Sequence, residues 1–376
     1  MNGVDLTTAR RERAEKMRAR LDELEIDVLL LSIGADLPWL TGYEAMPLER
    51  PTVLVFAADA DATLVVPRLE APRVEIDEKL FSLHPYGETD DAVGIVADLV
   101  GERRRVAFSD RAWAGLLLQL QWAMTDATFV GASRVTGPLR AVKDAHEQEA
   151  IAKAGAAADR VAEALFHGEI GLVGRSEYDV SREISERLLA EGHRTVNFSI
   201  VGSGPNSASP HHEAGERVIR VGDVVVCDFG GSYVFDGDVG YCSDTTRTVA
   251  VGEPASEFRE LYAVLEIAQS AALAAVEPGV TAEELDRVPR ALIEDAGFAK
   301  WFIHRTGHGI GIEAHEEPYI VEGNREIVVP GNAFSIEPGI YLEGRFGARI
   351  EDIVVVTEDG SRPCNASEHG LVVLER

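Results

Sequence analysis

Cysteine is nearly absent: Cys227, Cys242 and Cys364 are the only three in 376 residues, an odd number with no CxxC spacing. That excludes a disulfide scaffold and a cysteine-rich zinc module, and it predicts a reduced, cytoplasmic setting. Long apolar runs are missing as well. The stretch at 28–33 is strand-sized, far short of the roughly 20 residues that span a bilayer. The opening MNGVDLTTARRERAEKM has no apolar core of the kind a secretory leader carries. Positive charge is in deficit, with 36 Lys+Arg against 64 Asp+Glu and a net charge of −28. Such a field repels phosphates, so neither nucleic acid nor an anionic membrane is an expected partner. Familiar motifs fail too. There is no GxSxG elbow, P-loop or GxGxxG fingerprint, and HEEPY at 315–319 lacks the second His of a helical zinc site, where Pro318 would spoil the helix.

What remains is a globular chain, 45% hydrophobic and 27% charged, long enough for two domains. In its first third, short apolar runs at 28–32, 52–57, 63–66 and 106–109 alternate with helical patterns at 9–24, 91–101 and 111–123. That alternation predicts an α/β domain over residues 1–138. The basic cluster Arg10, Arg11, Arg13, Lys16, Arg18 and Arg20 is interleaved with Glu12 and Glu15, and reads as the solvated face of a helix. Residues 139–376 form the second domain, an α+β unit. Helices are expected at 146–166, 176–191 (Ser176 and Asp179 as a capping box, Gly192 as the stop), 256–276 and 282–296. Pro289 should kink or shorten the last. Strands are expected at 224–229, 242–251, 333–337 and 348–357. The plan is two helices then strands, twice over.

The letters repeat with the plan. GDVVVCDFG at 222–230 aligns with GNAFSIEPG at 331–339, each with a carboxylate six residues after its first Gly. Each copy is followed by a second acid on an expected strand, Asp244 and Glu351. An unpaired carboxylate inside an apolar strand is costly, so Asp228 and Glu337 need a cation, a set of N–H donors or a metal. Alternation also sets Arg349 on the same strand face as Glu351, so an Arg–Glu pair explains that acid without a metal. Four acids at duplicated positions favour one shared site. His304, His308 and His315 lie in the glycine-rich HRTGHGIGIEAH, where Gly307, Gly309 and Gly311 exclude a helix. His211 and His212 lie in a second loop, SGPNSASPHH. Cys227 should face the core, as should Cys242. Four carboxylates and one His suit two divalent ions with oxygen-rich coordination, such as Mn²⁺, Co²⁺ or Fe²⁺. Two such ions can polarise a carbonyl for hydrolysis.

The segments VVVCDFGG, GYCSDTTRT, HRTGHGIG with HEEP, FSIEPGIY and ARIED resemble the "pita-bread" metallopeptidases. This family contains methionine aminopeptidase, Xaa-Pro aminopeptidase and Xaa-Pro dipeptidase (prolidase). The resemblance implies a duplicated α+β pita-bread catalytic domain behind a smaller α/β creatinase-like N-terminal domain. It implies metal ligands at Asp228, Asp244, His308, Glu337 and Glu351, with Asp244 and Glu351 bridging. Catalytic roles fall to His211 at the scissile carbonyl, to His315, and to Glu337 as acid/base. Substrate-binding roles fall to His304 and Arg349. Two divalent ions are implied, Mn first and Co, Fe or Zn as alternatives, together with a small peptide substrate and a homodimer. Asp228 and Asp244 are sixteen apart because VFDGDV intervenes. Asp236 or Asp238 are alternatives to Asp228, but the apolar strand and the following Gly favour Asp228, and the extra residues are expected in a hairpin loop at the site's edge. The expected activity is hydrolysis of Xaa-Pro bonds, foremost in Xaa-Pro dipeptides. The alternatives are Xaa-Pro aminopeptidase action on longer peptides, a hydrolase or lyase of a small metabolite, or a binding protein with a retired site.

Overall fold

A computed structural model describes residues 6–375. Of these, one compact unit comprises the described residues up to Arg140 together with Gly237–Val239; the other comprises Ala141–Asp236 and the described residues from Gly240 onward.

The first unit is built on a six-stranded mixed sheet, in the order Phe81–Tyr86, Ala62–Pro67, Val53–Ala57, Val28–Leu31, Arg105–Phe108, Thr128–Gly131. Val28–Leu31 is central and every residue in it is buried, which is why its sequence, VLLL, shows no polar alternation. The helices Leu6–Glu23, Ala92–Val100 and Ala114–Ala123 lie close to the expected ranges. Leu30, Val55, Val96, Phe108 and Leu120 share a core. The two outer strands escape sequence reading because their burial patterns are mixed; an edge strand need not be apolar. The basic cluster is more engaged than a solvated face. Arg13 is buried and donates to the Trp39 carbonyl at 2.7 Å, Arg11 forks onto Asp77, and Arg18 lies over the Phe56 ring. The aliphatic stems of these arginines pack while their heads find acceptors.

The second unit repeats a plan. Helices Ala145–Phe166 and Glu177–Ala190 accompany one sheet, and Ser256–Ala274 and Ala282–Asp295 accompany the other. Asp144 with Glu147 and Thr281 with Glu284 form full capping boxes. At Ser176 the hydroxyl accepts from the Asp179 N–H, but the Asp179 carboxylate returns to the hydroxyl, not to the backbone. The helix Ala282–Asp295 runs through Pro289 to its full length. Its buried stripe of Ala282, Leu285, Pro289 and Ile293 supplies the packing that outweighs one lost backbone bond.

Two expected strands are broken where the sequence reads as continuous. The segment at 242–251 divides into Gly240–Cys242 and Thr245–Val251, leaving Ser243 and Asp244 between them. The segment at 348–357 divides into Phe346–Arg349 and Asp352–Thr357, leaving Ile350 and Glu351. Register survives both breaks. Cys242 faces Ser232 and Thr245 faces Phe229; in the other half Gly339 faces Arg349 and Ile336 faces Asp352. Each half therefore holds a long antiparallel hairpin, interrupted midway at an acidic residue. Opposite the first break a Cβ on Gly230 would lie 2.1 Å from the Ser243 carbonyl oxygen, so only glycine allows that approach. Gly230→Ala is expected to destabilise the protein by about 2 kcal/mol. A fall in the urea midpoint checks this, and an unchanged midpoint would contradict it.

Candidate active site

A cleft of about 760 Å³ opens in the second unit. Its lining includes all nine residues singled out by sequence: His211, Asp228, Asp244, His304, His308, His315, Glu337, Arg349 and Glu351. Asp228 sits within the strand Val224–Val234, and His308 is the middle residue of Gly307–Gly309. Glu337 directly follows Ala333–Ile336, while Asp244 and Glu351 occupy the two strand breaks. Asp228, Asp244, His308 and Glu351 are each buried. Residues 235–239, expected as a hairpin loop at the site's edge, are not among those that line the cleft. Asp236 has φ 50°, and Asp238 accepts from Arg10 at 2.6 Å.

Donor atoms converge in three overlapping sets: Asp244 with His308 and His315, His308 with Glu337 and Glu351, and Asp228 with Asp244 and Glu351. Within each set the atoms lie within 4.8 Å of one another. Asp228 Oδ1 and Glu351 Oε1 are buried with no hydrogen-bond partner among the described residues. Unsatisfied carboxylate oxygens in a dry site cost several kcal/mol unless a cation meets them. The donor set fits divalent ions on this ground: four carboxylates, hard oxygen ligands, and one imidazole. His308 Nδ1 faces the Gly309 carbonyl at 3.1 Å; a proton there leaves the Nε2 lone pair for a metal.

Charge crowding is visible in the protonation of these groups. Burial pushes Asp244 and Glu351 well above the usual carboxylate range, and the neighbouring carboxylates push the same way. Burial also raises Asp228, and this wins over the opposing pull of Arg349. Burial would raise Glu337 too, but the bond from His308 and the nearby cationic side chains outweigh it and hold the group below its ordinary value. Burial, then the neighbouring His308 and Arg305, bring His315 down to about 4, so its imidazole is neutral near pH 7.

Arg349 does not pair with Glu351. The break at 350–351 turns Glu351 toward Thr246, whose hydroxyl donates at 2.6 Å. Arg349 instead bonds Asp228, the Tyr341 hydroxyl at 2.7 Å and Thr246 Oγ1 at 2.9 Å. Burial pushes the Tyr341 phenol up to about 12, so it keeps its proton and donates to His304 Nε2 at 2.9 Å. His304 Nδ1 meets the Arg305 carbonyl at 2.7 Å, which engages both ring nitrogens. His211 is exposed at the cleft and its ring has no hydrogen bond among the described residues. Thr246, Tyr341 and Arg305 were not singled out by sequence. Thr246 had a signal, two residues after Asp244 in the motif DTTRT; Tyr341 and Arg305 lie inside quoted motifs, FSIEPGIY and HRTGHGIG, but nothing in their spacing marked them as facing the cleft. Cys227 and Cys242 are buried, as expected.

The same chain matches the family description "Metallopeptidase family M24" over residues 149–358, and "Creatinase/Prolidase N-terminal domain" over residues 13–142. It is 45% identical over 350 residues to the probable dipeptidase PepE of Mycobacterium tuberculosis, covering 92% of each chain. The chain belongs to metallopeptidase family M24. To the Xaa-Pro dipeptidase of Lactobacillus delbrueckii subsp. lactis it is 35% identical, over 96% of this chain and 98% of that one. The solved structure of dipeptidase PepE from Mycobacterium ulcerans superimposes with a TM-score of 0.91 at 43% identity, covering 98% of this chain and 99% of that one. The protein is thus a metallopeptidase of pita-bread fold with a creatinase-type N-terminal domain, and divalent metal use goes with the family.

In the metal-free protein the raised carboxylates hold protons at pH values where free ones would be ionised. Adding a divalent cation should therefore release protons, and apparent metal affinity should rise with pH. The same groups should cost the metal-free fold stability as pH climbs from about 4, the unfolded carboxylate range, through their higher folded values. Calorimetric titration in buffers of different ionisation enthalpy measures the release; heats independent of the buffer would contradict it.

Proposed function

We propose that this protein hydrolyses Xaa-Pro bonds with two divalent ions and that dipeptides are its main substrates. Two buried carboxylate oxygens without partners, in a cleft of four carboxylates and one imidazole, carry the metal part of this reading. Asp228, Asp244, His308, Glu337 and Glu351 would hold the ions, with Asp244 and Glu351 shared between them. When bound, the ions supply Lewis-acid polarisation of the scissile carbonyl and make water acidic enough to attack at neutral pH. The oxygen-rich donor set favours Mn²⁺. A homodimer in the cytoplasm belongs to the same reading by family resemblance.

The chain's own groups then divide the work. Glu337, kept ionised by its cationic surroundings, takes the proton of the attacking water and passes it to the prolyl nitrogen as that nitrogen leaves. His211, exposed and without another partner, donates to the carbonyl oxygen as negative charge gathers there. Arg349, bonded to Asp228, fixes that carboxylate and offsets part of the local negative charge. Neutral His315 faces the substrate side, 3.9 Å from the His308 ring.

Proline specificity rests on the similarity to Xaa-Pro dipeptidases and on one chemical feature. The Xaa-Pro amide has no N–H, so a site for it need not satisfy that donor. A dipeptidase must also hold the prolyl carboxylate. Arg349 is committed to other partners, whereas Arg305 lines the cleft with no carboxylate partner among the described residues. Arg305 is the cation assigned to that carboxylate.

A panel of Ala-Pro, Ala-Pro-amide, Ala-Pro-Gly and Ala-Leu with added Mn²⁺ tests the reading. Ala-Pro should show the highest kcat/KM, and Arg305→Gln should raise its KM at least about tenfold, a charge-assisted pair being worth roughly 1.5–3 kcal/mol, with less effect on the amide. A preference for Ala-Pro-Gly would transfer the protein to Xaa-Pro aminopeptidases. No prolyl turnover with metal bound would favour a small-metabolite substrate. Separately, His211→Ala should cut kcat by roughly 10²–10³ with metal content unchanged; loss of metal in that variant would make His211 a ligand instead.

A further inference from the structure

We propose that Glu177 is a positioning residue that acts through His212 to aim His211 at the reacting carbonyl. This rests on the role given to His211 above. Glu177 is the first residue of the helix Glu177–Ala190 and has no exposed surface. An acid in a helical first turn ordinarily serves the helix dipole at the surface; this one turns inward and binds a loop. Its Oε1 accepts from the Ser203 N–H at 2.7 Å, the Ser203 hydroxyl at 2.6 Å and Asn206 Nδ2 at 3.1 Å. Its Oε2 accepts from Asn206 Nδ2 at 3.1 Å and from His212 Nε2 at 2.8 Å.

Every one of those donors lies on the segment 203–212, and the stretch from Ser209 to His211 lines the cleft. The far side of the segment is pinned as well. Ser207 Oγ accepts from the Gly347 N–H at 2.9 Å, and a Cβ on Gly347 would come within 2.5 Å of the Ser207 carbonyl oxygen. His211, with no bond to its own ring, takes its aim from the backbone between these anchors. His212 is the nearer anchor, one residue away. Burial pushes the Glu177 carboxyl up, but the bonds from Ser203, His212 and Asn206 outweigh that and keep the group below its ordinary value, so a full charge holds the loop. A misplacement on the order of 1 Å costs about 10²-fold in rate, which makes such bracing worth a buried carboxylate.

A double-mutant cycle on the Mn²⁺-loaded protein tests this, with Ala-Pro as substrate, or Ala-Leu if prolyl peptides are not cleaved. His212→Leu removes the donor and should lower kcat about 10–100-fold while KM and metal per chain stay at wild-type values. His212→Gln, whose amide N–H can reach the carboxylate, should restore most of kcat. In the His211→Ala background, His212→Leu should cost nothing further. Independent, additive losses, or a loss of bound metal, would overturn the proposal. Wild-type kcat in His211→Ala would reject the role of His211 and the proposal with it. If His212→Leu does not fold, Glu177→Gln, with one acceptor oxygen where Glu has two, enters the same cycle with the same expected non-additivity.

Discussion

Crowded negative charge is the constraint on which the catalytic unit depends. Asp228, Asp244, Glu337 and Glu351 converge on one cleft, where the buried Arg349 guanidinium and the imidazoles of His308 and His315 are the nearby basic groups. Lost hydration, and after it mutual repulsion, drive three of the four carboxyls toward their protonated forms. A fold that retains such a cluster carries a standing penalty that a divalent cation relieves. The orphaned oxygens of Asp228 and Glu351 mark where the protein's own hydrogen bonding ends.

The interrupted hairpins show how a sheet delivers those charges. An unbroken strand sends alternate side chains to opposite faces, so a strand through Asp244 or Glu351 would fix each acid to one face of its sheet. A two-residue break without loss of register frees the acid while the flanking strands stay paired. The cost is steric. Gly230 must admit the Ser243 carbonyl at the first break, and, apart from the breaks, Gly307 on the strand that carries His308 must admit that of Ser335, 1.8 Å from where its Cβ would be. These glycines are conditions of the site's geometry, not spacers.

Both halves also brace the loops that carry their histidines with a buried acid on the second helix. Glu177 gathers Ser203, Asn206 and His212 in the first half. In the second, Asp286 accepts from the Thr306 N–H and hydroxyl and from Arg290, which reaches the His304 carbonyl. Polar networks of this kind give loops of irregular backbone a defined conformation.

Sequence alone determined the elements whose signal is local. The apolar runs behind the inner strands, the capping residue Ser176, the duplicated acid-bearing segments and the glycine-rich histidine segment are each patterns among near neighbours, and together with the family resemblance they pointed to the two-part fold and to the nine cleft residues. Tertiary structure decided what depends on partners far apart in the chain. Arg349 stands two residues from Glu351, yet its carboxylate partner is Asp228, 121 positions away, because a strand break rotates Glu351 toward Thr246. Pro289 stays helical because of what it packs against. Glu177 reads as an ordinary first-turn acid until its helix is set beside residues 203–212. Short-range patterns follow from backbone sterics and solvation, which act on neighbours; the choice of partner for a buried charge follows from which groups the closed fold brings within hydrogen-bond reach.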